Sequence, residues 1–128
     1  MKAAVLHAKN DLRVEDVEVP ALNAHEVLVR VKATGICGSD LPRVLGDKAH
    51  HYPIILGHEF AGQVASVGTA VSKVKAGDRV VGVPLVPCKT CHDCLSGNFA
   101  QCPHYSFIGS RVNGSWADYV VIPEDNAL

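Results

Sequence analysis

Hydrophobic positions along this chain come in short bursts, with no long stripe at helical spacing. Val and Ile dominate the bursts, and Gly, Pro and Asp separate them, which is the composition of strands joined by turns. The pattern predicts strands at 3–6, 12–19, 27–33, 62–67, 79–83 and 117–122. In 27–33, Val27, Val29, Val31 and Ala33 fall on one face while Arg30 and Lys32 fall on the other, the period-two signature of a half-buried strand. That strand leads directly to Cys37. Lys75-Ala76-Gly77-Asp78 reads as a turn between two strands, because Gly accepts positive φ and Asp bonds nearby backbone. Residues 39–45 predict the one short helix, with Ser39 or Asp40 available as a cap, Pro42 tolerated in the first turn and Gly46 ending it. The fold class expected is mainly β (α+β), with strands that meander or close into a barrel, and no repeat or long linker interrupts them.

At 128 residues the chain is long enough for one domain with a real core. Its formal net charge of −1, from 12 Lys and Arg against 13 Asp and Glu, comes without any basic run. No nucleic-acid partner and no acidic membrane surface is therefore expected. The apolar start is too short for a signal peptide and no run reaches membrane-spanning length, so the expected location is cytoplasmic.

Chemistry enters with the cysteines. Cys88, Cys91, Cys94 and Cys102 follow the spacing C-x2-C-x2-C-x7-C, which gathers four soft ligands into a loop of 15 residues. Thiolates favour tetrahedral zinc or an iron–sulfur cluster, and a four-cysteine zinc site is closed to substrate, so this loop reads as structural. With five cysteines in the chain, disulfide pairing would leave one over, and C-x2-C pairs are a chelating spacing of reducing compartments. The fifth, Cys37, lies in Gly35-Ile36-Cys37-Gly38-Ser39-Asp40, and Gly57-His58-Glu59-Phe60 follows downstream. A thiolate with an imidazole is the mix expected at a catalytic zinc that keeps a position open. From residue types alone the pair is a weak signal, since such a cysteine is more often a buried apolar residue and such a histidine a packed or surface one. No G-x-G-x-x-G is present to form a dinucleotide-binding turn.

Taken in order, Gly35–Asp40, Leu56-Gly57-His58-Glu59-Phe60-Ala61-Gly62, Gly77-Asp78-Arg79-Val80, the four-cysteine loop and Gly114-Ser115-Trp116-Ala117-Asp118-Tyr119 resemble the N-terminal catalytic domain of zinc-containing medium-chain alcohol and polyol dehydrogenases. The likeness spans nearly all of the chain. It implies a GroES-like, partly open β-barrel over 1–128 with a structural zinc lobe at about 86–104. It also implies that NAD(P) is bound by a Rossmann domain absent from this chain, which would then be an inactive fragment of a homo-oligomeric enzyme with two zinc ions per full-length subunit. Cys37–Arg43, His51-Tyr52-Pro53-Ile54 and Phe107-Ile108-Gly109-Ser110-Arg111 are similar to the polyol branch, including sorbitol dehydrogenase-like enzymes. That branch implies oxidation of a secondary alcohol to a ketone, on a polyol or a sugar-alcohol phosphate such as galactitol 1-phosphate.

The resemblance also assigns roles. Cys37 and His58 would bind the catalytic zinc, with the branch's remaining glutamate ligand lying past Leu128. Glu59 would sit beside the metal and bind it transiently, although neighbours on a regular strand face opposite ways unless Gly57 distorts the backbone. Asp40 would accept a hydrogen bond from the zinc-binding imidazole, its alternative being a helix cap. Ser39 would take the alcohol proton. Many relatives pass that proton to a histidine where this chain has Pro42, which leaves water or a cofactor hydroxyl as the exit. Arg43 is the expected cation for a substrate phosphate, with Lys48, His50, His51 and Arg111 as other choices. His92 is expected to be exposed, and Trp116 and Tyr52 to be core or pocket wall. Two rivals compete with this reading. An iron–sulfur electron-transfer module is echoed by Cys102-Pro103, against which stand the seven-residue spacer and the lack of ligands for a second cluster. A zinc-ribbon binding module lacks the basic face that nucleic acid would need.

Overall fold

The computed structural model describes the whole chain, Met1–Leu128. Short antiparallel strands build it, and helix is confined to single turns. Strand β1 (Lys2–Ala8) pairs with β2 (Asp11–Asp16), and its far edge takes β4 (Ile54–Ile55), giving the order β2-β1-β4. The larger sheet runs β6 (Arg79–Gly82), β5 (Phe60–Val67), β3 (Glu26–Thr34), β9 (Tyr119–Pro123). A two-stranded ribbon of β7 (Leu85–Val86) and β8 (Ser106–Phe107) completes the set.

The apolar faces of the large sheet make the main core, in which Val27, Val29, Phe60, Val64, Val80, Ile108, Val120, Ile122 and Ala127 are all buried. Alternation along β3 is not clean, because Leu28 is buried beside Val27 and Val29. A register shift between Leu28 and Val29 accompanies this, and a second falls between Val31 and Ala33. Two smaller clusters, Ala3, Val5 and Ile55 on one side and Leu6, Ile54 and Leu56 on the other, seal β1 against β4, and Trp116 packs against both.

Boundaries differ from the sequence pattern for identifiable reasons. The strand expected at 12–19 ends at Asp16: Val17 still donates to the Met1 carbonyl, and Pro20 has no N–H with which to continue a ladder. The helix expected at 39–45 contracts to α1 (Leu41–Val44), and the Asp40 side chain makes no cap bond to it. Strands β4, β7 and β8 went unanticipated because two residues carry no period. The predicted turn joins β5 to β6 as expected, with Gly77 at φ +94° and the Asp78 carboxylate accepting the Lys75 N–H at 2.9 Å.

Candidate metal centres

Two groups of ligand atoms converge, each with its donor atoms within 4.8 Å of one another: Cys37, His58 and Glu59, and the four lobe cysteines.

Cys37 follows the end of β3, and His58 and Glu59 immediately precede β5, so adjacent antiparallel strands deliver the two arms of the first group. Strand alternation does not separate His58 from Glu59 because β5 begins only at Phe60, and Gly57 before them sits at φ +93°. Room for the Glu59 carboxylate comes from Gly35, where a Cβ would lie 2.6 Å from Glu59 Oε2. The Gly35 N–H also donates to the Glu59 carbonyl at 2.7 Å, tying the arms together. His58 is buried and Phe107 meets its ring edge-on at 5.5 Å, whereas Glu59 is exposed. The group is closed on its histidine side and open on its carboxylate side.

Asp40, only 1% exposed, lies behind this group. One carboxylate oxygen accepts the Cys37 backbone N–H at 3.0 Å, and the other is 3.5 Å from His58 Nδ1 and 3.7 Å from Arg43 Nη1. Asp40 Oδ1 and His58 Nδ1 are buried with no hydrogen-bond partner. Orphaned buried polar atoms are costly, and this pair fits a metal-loaded state: closing by a few tenths of an ångström makes a bond that fixes the tautomer and leaves Nε2 for the ion. Cys, His and carboxylate together suit zinc. Ser39, two residues past Cys37, is exposed, and Arg43 donates through Nη1 to its carbonyl at 2.6 Å and to its hydroxyl at 2.9 Å.

The second group is built locally. Helix α2 (His92–Leu95) carries Cys94, a short 3-10 turn at Phe99–Gln101 returns the chain to Cys102, and both of these cysteines are buried. None of the five cysteines forms a disulfide. Hydrogen bonds from the Thr90 backbone N–H, then from the Thr90 hydroxyl and the Cys91 N–H, pull the Cys88 thiol down to about 5. Burial above all, reinforced by the neighbouring thiols, pushes Cys94 up to about 12. Four crowded sulfurs cannot all ionise unaided, and a divalent cation would supply the missing charge. His92 points to solvent with its side chain 93% exposed, as expected once four thiols fill a tetrahedral shell.

The pattern of residues gave no warning of Phe107 against His58, of the space at Gly35, or of the contacts of Ser115 and Trp116 described below. Their motifs served only to carry a resemblance. A cavity of about 670 Å³ lined by His7, Glu15, Val17, Asn113 and Tyr119 among others includes none of the metal-centre residues. No helix is long and apolar enough to cross a membrane.

A partly open antiparallel β-barrel bearing a four-cysteine lobe and an open Cys–His–carboxylate cluster defines the class of the molecule. The chain belongs to the alcohol dehydrogenase GroES-like domain family, whose profile matches residues 23–128. It is 45% identical over 129 residues to galactitol 1-phosphate 5-dehydrogenase of Escherichia coli (strain K12), covering 100% of this chain and 37% of that protein. It is 41% identical over 130 residues to sorbitol dehydrogenase of Bacillus subtilis (strain 168), covering 98% of this chain and 37% of that protein. The crystal structure of galactitol-1-phosphate dehydrogenase from Escherichia coli superposes with a TM-score of 0.97 at 44% identity, over 100% of this chain and 37% of that one. The chain thus spans a little over a third of the length of these relatives.

Proposed function

We propose that residues 1–128 are the catalytic domain of a zinc-dependent dehydrogenase. In this reading it oxidises a secondary alcohol of a polyol or sugar-alcohol phosphate, galactitol 1-phosphate-like, to a ketone, with hydride passing to NAD(P) held by a cofactor domain. The observation that carries the proposal is the convergence of Cys37, His58 and Glu59 into an open three-ligand set. The names of the relatives support the substrate class.

A zinc ion bound there would polarise the substrate hydroxyl as a Lewis acid. Cys37 and His58 would hold it, with Glu59 completing or exchanging the set. Asp40 orients His58 through Nδ1 and the Cys37 arm through its backbone N–H. Ser39 Oγ takes the hydroxyl proton, a role suited to a group that both accepts and donates. Because Arg43 already donates to that oxygen, Ser39 has a lone pair left for the incoming proton and its own O–H left to pass a proton on. Pro42 offers no side-chain acceptor, so the proton continues to water or to a cofactor hydroxyl. Arg43 is the cation for a substrate phosphate.

The lobe at about 86–104 takes a second zinc as a brace, giving two ions per subunit of a homo-oligomer in the reducing cytoplasm, where five free thiols persist. Residues 1–128 alone carry out no hydride transfer. A full-length protein containing this chain is assayed on phosphorylated and free polyols with NAD and NADP, alongside metal analysis. Cys37→Ser is expected to abolish turnover while one zinc, that of the lobe, stays bound. An active variant, or iron in place of zinc, would overturn the reading.

A further inference from the structure

The segment Gly114–Asp118 takes no direct part in that chemistry, yet it touches both arms of the open centre. Its backbone zips along the arm that ends in His58: Gly114 N–H donates to the Ile55 carbonyl at 2.8 Å, Trp116 N–H to Leu56 at 3.0 Å and Ser115 N–H to Gly57 at 2.9 Å. Its side chains reach the other arm, just ahead of Cys37. The Trp116 indole N–H donates to the Gly35 carbonyl at 3.0 Å, and the hydroxyls of Ser115 and Thr34 share a hydrogen bond of 2.7 Å. Ser115 is fully buried and Thr34 is exposed, so the bond is held from the buried side.

The packing leaves the segment no slack. A Cβ on Gly57 would collide with Trp116 Cδ1 and lie 2.7 Å from Ser115 Oγ, while one on Gly109 or Gly114 would run into the Gly57 carbonyl oxygen. Backbone therefore meets backbone at the residue before His58. The segment is fixed at its far end too, where the Lys2 N–H donates to the Asp118 carboxylate at 2.7 Å and the Ala4 N–H to the Trp116 carbonyl at 2.8 Å.

We infer that Ser115 and Trp116 are positioning residues that set the separation of the Cys37 and His58 arms, and so the affinity of the open centre for its metal. The inference rests on the open-centre reading above. The Gly35–Glu59 backbone bond fixes the arms where Glu59 sits, and the Ser115 and Trp116 bonds fix the loop that carries Cys37 against the segment that carries His58. Three ligands on two arms bind tightly only if the arms are held near the bound geometry beforehand, because any spread must be closed at the expense of binding.

The test uses a full-length protein containing this chain, with one zinc held in the lobe, titrated with cobalt and followed by the sulfur-to-cobalt absorption that Cys37 contributes. Trp116→Phe keeps the ring and removes one hydrogen bond, and Ser115→Ala removes the other. Each is expected to weaken cobalt binding roughly two- to tenfold, the scale of one net hydrogen bond, and to shift the cobalt bands while lobe zinc stays at one equivalent. Ile122→Val, a change in β9 opposite Val27 and so at the far end of β3 from Cys37, serves as the control that lowers stability without moving cobalt affinity. Unchanged affinity in both brace variants, or an equal loss in Ile122→Val, would overturn the inference alone. Absence of any second metal in the unaltered full-length protein would overturn the open-centre reading together with it.

Discussion

Arg43 illustrates how much a single side chain can be asked to do in this site. Its side chain is only 17% exposed, and its guanidinium folds back over α1 to the Ser39 carbonyl and hydroxyl and stands 3.7 Å from the Asp40 carboxylate. Its Nε is buried without a partner. A charge left partly unsatisfied beside an open centre is suited to a ligand of opposite sign, since an Arg–phosphate bond is charge-assisted and directional. Arg43→Gln in a full-length protein is therefore expected to raise KM for a phosphorylated polyol about tenfold, the loss of one charge-assisted contact, while KM for the free polyol stays put. Steady-state kinetics on the two substrates check this. Equal falls in kcat on both would mean that Arg43 acts only by holding Ser39.

Elements differ in how openly the sequence announces them. The lobe was legible because its ligands lie within 15 contiguous residues, so spacing alone reports the site. Strand β3 was legible because nine residues are long enough to show a period. The brace was not, because Ser115 and Trp116 find Thr34 and Gly35 across 81 residues and no local pattern encodes that approach. Asp40 was legible as chemistry but ambiguous as structure, and the geometry resolves it: its carboxylate turns to Cys37 and His58 and away from α1. A second long-range tie was also invisible beforehand. Glu124 Oε2 accepts the N–H groups of Ser72 at 2.9 Å and Lys73 at 3.1 Å, pinning the loop between β5 and β6 to the chain's final turn. Those two donors, Ser72 first, hold the Glu124 carboxyl below its ordinary value. A carboxylate whose folded pKa is depressed stabilises the fold fully above its unfolded pKa of ~4.3, and that contribution is lost as pH falls through the folded value. Glu124→Gln is thus expected to melt below the unaltered chain at pH 7, with the gap shrinking on acidification below about pH 4. A gap constant across that range in thermal melts would rule out the carboxylate as its source.

At the scale of the whole molecule the two centres should respond differently to metal removal, and the fold says in which order. The open group offers three ligands on two separate arms, one of them the exposed Glu59, so a chelator can approach and the arms remain tied by β3–β5 pairing after the ion leaves. The lobe would enclose an ion in four sulfurs, two of them buried, and apart from short-range backbone bonds such as Asn98 N–H to the Asp93 carbonyl at 2.8 Å its only regular structure is single helical turns. The lobe is also fastened to the barrel electrostatically: Lys89, beside Cys88, and Lys73, beside the pinned loop, both pair with Asp125 in the final turn. Losing a metal from the lobe would leave crowded thiols that take up protons, in a loop tied to the end of the chain, where Asn126 bridges the Val83 and Leu85 carbonyls at 2.7 Å each. Because the binding energy of a structural site is folding energy, chelation of the zinc-loaded chain is expected to proceed in two steps. The first zinc leaves with the β-sheet circular dichroism and melting temperature nearly unchanged. The second leaves more slowly, and the fold melts with it. Parallel release of both ions, or a folded chain free of metal, would show that the lobe does not brace the barrel.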